Sequence, residues 1–293
     1  MSLQNNSQKE KNAVLGGVLY LVATPIGNLA DISERALKVL SEVDFVAAED
    51  TRNSGLLLSR FGISKPMVSY FEHNKHERGT QIIARLKNGE SCAIITDAGT
   101  PAISDPGEDI VRLCAAEGIT VTSIPGCCAA ITALTLSGMD TRRFCFEGFL
   151  SVNKGERRER LAELSDERRT MIFYEAPHKL RTTLSDLLTA FGAERQIALC
   201  RELTKLNEEV CRTTIGRAVE MYSEREPRGE YVLIVEGNVQ TAAKINYPAD
   251  PILHVEELVE SGMSKKDAIK AAAKARGVAK NEIYALVMKK DEE

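Results

Sequence analysis

Cys92-Ala-Ile-Ile-Thr96, then Asp-Ala-Gly-Thr-Pro-Ala-Ile-Ser-Asp-Pro-Gly107, then Glu108 reads as a strand, a loop and the start of a helix. The apolar run has the form of a strand buried on both faces, as in parallel sheets. The loop holds two carboxylates, Asp97 and Asp105, and two prolines, Pro101 and Pro106, that stiffen it. Its glycines, Gly99 and Gly107, let a ligand approach the backbone. In α/β proteins such strand-to-helix loops form the ligand crevice. Neither G-x-x-x-x-G-K-[ST] nor G-x-G-x-x-G occurs here, and paired carboxylates repel phosphate. The loop therefore favours a ligand carrying positive charge and hydroxyl groups. The competing reading is a rigid turn whose aspartates cap a helix.

Outward from this loop, short β-branched runs alternate with helical patterns. Strands are expected over 18–22, 43–47, 67–70, 92–96 and 119–124, with helices near 53–61, 77–87 and 108–117, which predicts a parallel sheet. Between the first two strands, Asp31 and Glu34 stand in capping-box spacing, with Ile32, Ala36, Val39 and Leu40 on one helical face. After Pro125-Gly126 the texture changes to a helix over 127–137 and strands over 144–149, 171–174, 197–201, 208–212 and 231–236. The fourth of these strands follows the third after a short turn, as hairpin partners do, so the second sheet should be mixed. The fold class is thus α/β, with two α/β domains and a small helical extension. The expected division is a disordered tail over 1–13, domains over 14–125 and 126–240, and a basic extension over 248–293, with Gly262 and Gly277 as helix stops and Ser264 to Asp267 as a restart.

With 43% hydrophobic and 27% charged residues, the 293-residue chain has the composition of a soluble globular protein. Its first 13 residues lack an apolar h-region and no run of about 18 apolar residues occurs, which points to a cytoplasmic protein without a membrane span. The seven cysteines include no C-x-x-C pair and are expected to be reduced thiols. The four histidines are not grouped with them at metal-ligand spacing, so no metal is expected. A net charge of −4 hides an uneven distribution. Residues 264–290 carry eight basic side chains against Asp267 and Glu282. A second basic group, Lys154 to Arg169, is nearly balanced by five acids and reads as an ion-paired helix at least as well as a phosphate contact.

Eight motifs occur in order: Leu21-Val-Ala-Thr-Pro-Ile-Gly-Asn-Leu29, Ala48-Glu-Asp-Thr-Arg52, Ser69-Tyr-Phe-Glu-His-Asn74, the Asp97 loop, Ile124-Pro-Gly-Cys-Cys-Ala129, Glu147-Gly-Phe-Leu150, Phe173-Tyr-Glu-Ala-Pro-His178 and Gly229-Glu-Tyr-Val232. Together, over roughly 18–290, they resemble the tetrapyrrole-methylase superfamily, and within it the branch that methylates the 2′-hydroxyl of a cytidine in 16S ribosomal RNA of the small subunit. The resemblance implies two α/β domains with S-adenosyl-L-methionine in the cleft between them, and a homodimer. Carried onto this chain, it puts the cofactor against Pro25, Asp97, Ala98, Gly99, Thr100, Pro101, Ile103, Ser104, Cys128, Ala129, Tyr174 and Tyr231.

The chemistry of the residues agrees with that assignment. A sulfonium and an ammonium need carboxylate or carbonyl neighbours, ribose hydroxyls need acceptors, and adenine needs an apolar slot. Asp97 and the loop carbonyls can meet the first two needs. A ribose hydroxyl is a weak acid and benefits from a group that takes its proton. Glu49 and Asp50 are the expected bases or sugar-orienting groups, Arg52 a phosphate contact, and His73 a second catalytic candidate. Glu72, Asn74, Lys154, Glu175 and His178 are expected to line the substrate side, and Lys266 and Lys270 to contact RNA phosphates without reading sequence. Two other readings stay open: a methyltransferase acting on a tetrapyrrole, and a non-catalytic regulator that binds S-adenosylmethionine.

Overall fold

The computed structural model describes residues 12–238, 248, 250–276 and 278–291. Most of the expected tail lies outside them, as does the expected stop at Gly277. The first sheet holds β1 (Val18–Val22), β2 (Phe45–Ala48), β3 (Met67–Ser69), β4 (Cys92–Ile95) and β5 (Thr120–Ile124), all parallel, in the order β3-β2-β4-β1-β5. Side chains alternate across it with period two. Val18, Tyr20 and Val22 pack on one face against Ala36, Val39 and Leu40 of α1 (Glu34–Glu42) and Leu58 of α2 (Thr51–Arg60). Leu19 and Ile94 pack on the other against Ile82 and Leu86 of α3 (Lys75–Lys87) and Ile110 of α4 (Glu108–Ala116). Each such buried aliphatic side chain contributes about 1.5–3 kcal/mol.

The start of α1 departs from the sequence expectation. Ser33 is the N-cap, its hydroxyl accepting the Ala36 N–H at 3.1 Å, while Asp31 closes a separate 3-10 turn capped by Asn28. The capping-box spacing of Asp31 and Glu34 is therefore not used. Ser33 has the extended backbone that an N-cap requires, and it stands directly before the first helical residue.

Strand order decides where a ligand can enter. The chain leaving β1 crosses toward β2 on one side, and the chain leaving β4 crosses toward β5 on the other, although β1 and β4 are neighbours. A crevice opens at the carboxyl ends of two such strands. The Asp97 loop lies there.

The second sheet is mixed, as expected. It contains β6 (Phe144–Phe149), β7 (Thr170–Glu175), β8 (Gln196–Arg201), β9 (Glu209–Thr214) and β10 (Tyr231–Val235) in the order β6-β7-β10-β8-β9. Only β6 and β7 pair in parallel, and β8 and β9 form the expected antiparallel pair. Ala130, Ala133 and Leu134 of α5 (Ala129–Ser137) cover one face over Ile172, Ala198 and Ile234. The opposite face packs against α6 (Lys154–Glu163), α7 (Leu180–Phe191) and α8 (Ile215–Glu224).

A separate compact unit follows, made of α9 (Pro251–Glu260), α10 (Lys265–Arg276) and α11 (Lys280–Asp291). Its own core is Val255, Ala268, Ile269, Ala272, Ala273, Ile283 and Val287. The restart at Ser264 is present, its hydroxyl accepting the Asp267 N–H at 3.2 Å. All seven cysteines are free thiols. Among the described residues, no helix is long and apolar enough to cross a membrane.

Candidate active site

The loops after β1 and β4 are pinned together by a two-way backbone bridge, Thr24 N–H to Gly99 O at 2.9 Å and Gly99 N–H to Thr24 O at 3.1 Å. Gly99 has a φ of +90°, and a Cβ there would come within 3.3 Å of Ile26 Cγ2, so the bridge requires glycine. Beyond it, Ala102 and Ser104 hold left-handed backbone at φ 67° and 63°. Across the cleft, Glu202 and Thr204, between β8 and β9, do the same at 52° and 65°. Among the described residues these four are the non-glycine positions with positive φ. Each stores roughly 1–2 kcal/mol of strain, which proteins retain mainly at binding and catalytic sites.

Between these loops lies a cavity of about 380 Å³. The β4–α4 loop lines it with Ala98, Gly99, Thr100, Ile103, Ser104 and Asp105, the start of α5 with Cys128 and Ala129. From the second sheet come Phe149, Tyr174, Glu175, Pro177, Leu203 and Tyr231. Most walls are apolar, which suits a flat heterocycle. The Tyr174 hydroxyl accepts the Ala130 N–H at 3.2 Å, and burial pushes this phenol up to about 12. Phe146 and Phe149 meet its ring edge-on at 5.1 and 5.5 Å. Tyr174 is thus a fixed wall. The Tyr231 hydroxyl is engaged by the Tyr222 hydroxyl and the Arg228 N–H, both at 3.4 Å. The Thr100 hydroxyl donates to Cys127 O at 2.9 Å, tying the loop to the corner before α5. Pro101 is buried within the loop and lines neither cavity.

A second cavity, also about 380 Å³, adjoins the first and shares Ile26, Ala98, Lys205 and Glu230 with it. Its other walls include Pro25, Leu29, Asn53, Ser54, Leu57, Thr96 and Asp97. Lys205 is held by Glu202 at 2.9 Å and Glu230 at 2.8 Å. A Cβ on Gly27 would fall 2.5 Å from Lys205 Cγ, so the loops of the two sheets touch at that point. Asp97, expected with the first cavity, lies in the second. The Thr24–Gly99 bridge turns the chain so that the Asp97 carboxylate accepts the Asn53 side-chain amide of α2 at 3.1 Å.

Asp105 takes the place in the first cavity wall that Asp97 does not fill. Burial, and then the neighbouring Glu49 and Asp97 charges, push its carboxyl up to about 6. Glu49 is raised too, first by burial and then by Asp97 and Asp50. These three carboxylates feel one another. Among the described residues, no group of three or more His, Cys, Asp or Glu side chains is arranged to hold a metal ion.

Several expected site residues have other partners. Asp50 is the N-cap of α2, and its carboxylate accepts the Arg52 N–H at 2.8 Å and the Arg52 guanidinium at 3.0 Å, which holds it below the usual carboxylate range. Arg52 is correspondingly occupied, so Asp50 caps the helix and Arg52 pairs with it. Asn74 closes a turn by accepting the Phe71 N–H and donating to Ser69 O. Glu72 pairs with Lys75 at 2.7 Å, and exposed His73 meets Phe71 edge-on at 6.2 Å. Glu175 is buried, its carboxylate accepting the Ala176 N–H and the Thr183 hydroxyl. His178 is exposed in the 3-10 turn after β7 and lines neither cavity. Lys154 is exposed at the start of α6, whose Arg157 and Arg160 pair with Asp186, Glu147 and Glu163. In the separate C-terminal unit, Lys266 and Lys270 are exposed on α10, opposite its buried alanines.

The sequence reading missed Asp105 as a site residue, although it stood in the decisive loop, and also Ile26, Phe149, Leu203, Lys205 and Glu230. Glu230 lies inside a quoted motif, which was the available signal. Lys205 had none, because its position depends on contact between the two sheets.

The family model described as Tetrapyrrole (Corrin/Porphyrin) Methylases matches residues 18–219. Ribosomal RNA small subunit methyltransferase I of Pasteurella multocida is 45% identical over 273 residues, spanning 92% of this chain and 96% of that one. The protein of the same name from Halalkalibacterium halodurans is 47% identical, spanning 92% and 93%. Among solved structures, uroporphyrin-III-C-methyltransferase of Thermus thermophilus shares the fold with a TM-score of 0.54 at 20% identity, over 75% of this chain and 94% of that one. A cobalt precorrin-4 methyltransferase does so with a TM-score of 0.55 at 16% identity, over 75% and 95%.

Proposed function

The chain belongs to the tetrapyrrole (corrin/porphyrin) methylase family, and from that premise we propose that it methylates small-subunit ribosomal RNA, at the 2′-hydroxyl of a cytidine in the 16S molecule. One observation carries the reading. A chain 45–47% identical over 92% of its length to proteins named as small-subunit ribosomal RNA methyltransferases has a largely apolar cavity between two sheets with a carboxyl in its wall. S-adenosyl-L-methionine, when bound, supplies an activated methyl group on a positively charged sulfur.

The residues present fit that donor. Ile103, Cys128, Ala129 and Phe149 offer an apolar slot, the strained 97–107 loop offers backbone groups, and Asp105 offers negative charge. The enzyme's remaining work is to align the acceptor oxygen and exclude water. The carboxyls raised by burial, Glu49 and Asp105, are the groups that take the proton lost by the sugar hydroxyl. We infer that Asp50 serves as a helix cap rather than as the base, since its oxygens are engaged by Arg52. Lys266 and Lys270 hold RNA phosphates, and the active protein is a cytoplasmic homodimer.

The alternative, a tetrapyrrole substrate, has the solved structures on its side, but those share only the fold. The basic stretch 264–290 and the RNA-methyltransferase names of the relatives favour RNA. The test is to incubate the protein with methyl-labelled donor and either small subunits from a strain lacking its gene or uroporphyrinogen. A 2′-O-methyl group blocks alkaline cleavage of the adjacent phosphodiester, so label in a single alkali-resistant cytidine is expected. Label on a base or on the porphyrinogen would contradict the reading.

A further inference from the structure

We propose that the second cavity, on the α2 side of Lys205, receives the acceptor nucleoside, with Asn53, Ser54 and Asp97 as the residues that hold it. This deepens the functional reading above and rests on it. The cavity's size, about 380 Å³, admits one nucleoside turned out of its stack.

The Ser54 hydroxyl points to a ligand. Ser54 lines the cavity and is only 3% exposed, and its buried hydroxyl has no hydrogen-bond partner. A buried hydroxyl left unpaired costs about 1–3 kcal/mol, and an incoming polar group removes that penalty. Beside it, the Asn53 amide donor lies at 3.1 Å from the Asp97 carboxylate acceptor. Cytosine offers the complementary edge, an amino donor next to a ring-nitrogen acceptor. Pro25, Leu29 and Leu57 provide apolar surface for the base faces.

The placement relative to the donor cavity is the second argument. The two cavities share Ile26, Ala98, Lys205 and Glu230, so a nucleoside seated in one borders the space of the other. Among the described residues the Lys205 ammonium pairs with the carboxylates of Glu202 and Glu230, and Glu230 is exposed. Displacing one flexible side chain would therefore join the two spaces.

The experiment measures steady-state methylation of undermethylated small subunits by the full-length protein, its Asn53→Ala variant and its Ser54→Ala variant, with donor affinity taken by calorimetry on each. Asn53 is exposed, and alanine suits the helical position of Ser54, so both variants should fold. KM for subunits should rise at least tenfold in Asn53→Ala and severalfold in Ser54→Ala, with donor Kd within twofold of wild type. Unchanged KM in both variants would overturn the proposal. So would a tenfold loss of donor affinity with KM unchanged, which would make this cavity part of the donor site. Wild-type activity on the same subunits separates the two claims, because its absence defeats the functional reading, whereas failure confined to the variants' behaviour defeats only the acceptor seat.

Discussion

Asp105 ionises with difficulty because it is largely removed from water beside two other carboxylates, and this has a measurable consequence for stability. Its folded-state value of about 6 lies above the ordinary 3.8, so the folded protein binds the proton more tightly than the unfolded chain. The associated stability is complete below 3.8 and is lost as pH rises through 6. Asp105→Asn cannot ionise and should melt above wild type at pH 8, by about 2–4 °C for about 1 kcal/mol after solvent screening. At pH 4 the difference should vanish in a calorimetric scan. In activity the order reverses: Asp105→Asn and Glu49→Gln should lower kcat by about a hundredfold or more. Asp50→Asn keeps the cap and should stay within a few fold of wild type. The loop carrying both aspartates was legible in the sequence as a ligand crevice, but of the two only Asp97 was expected as a site residue. Which cavity each meets was not legible, because the Thr24–Gly99 bridge that turns the chain is a contact between loops 75 residues apart.

Elements were the most legible scale. The strands, and the helices that were expected, were placed within about two residues of their observed ends, because each carries a strong periodic pattern, whereas α7 and α8 of the second sheet were not expected. The α1 cap was misplaced because two candidate capping residues, Asp31 and Ser33, stand close together, and only the backbone angles choose between them. On α10, buried Ala268, Ile269, Ala272 and Ala273 leave Lys266 and Lys270 exposed on the surface. Charge reversal at both lysines should weaken subunit binding and flatten its salt dependence by about two phosphate contacts, with donor affinity intact. Binding measured between 50 and 200 mM salt checks this, and an unchanged slope would remove α10 from the RNA contact.

At the scale of the whole molecule, the net charge of −4 falls on the larger unit, while the C-terminal unit is neutral as a whole and gathers its positive charge in residues 264–290, with acids on either side. That asymmetry was readable as a count of side chains. The place of Lys205 in the walls of both cavities was not, since it arises where a loop of one sheet touches Gly27 of the other, and no local pattern encodes such a meeting. Sedimentation should give twice the 32.2 kDa chain mass, and a monomer at micromolar concentration would contradict the homodimer. The claim on which the rest depends is that a methyl donor occupies the first cavity. Cys128 is half-buried in the wall of that cavity, whereas half-buried Cys211 belongs to β9 and lines neither cavity. The direct measurement is the rate of alkylation of each thiol, followed by mass spectrometry, as S-adenosyl-L-methionine is added. Cys128 should be protected saturably, roughly tenfold at ten times the donor Kd, with Cys211 unaffected. Alkylation of Cys128 at an unchanged rate under saturating donor would contradict the account.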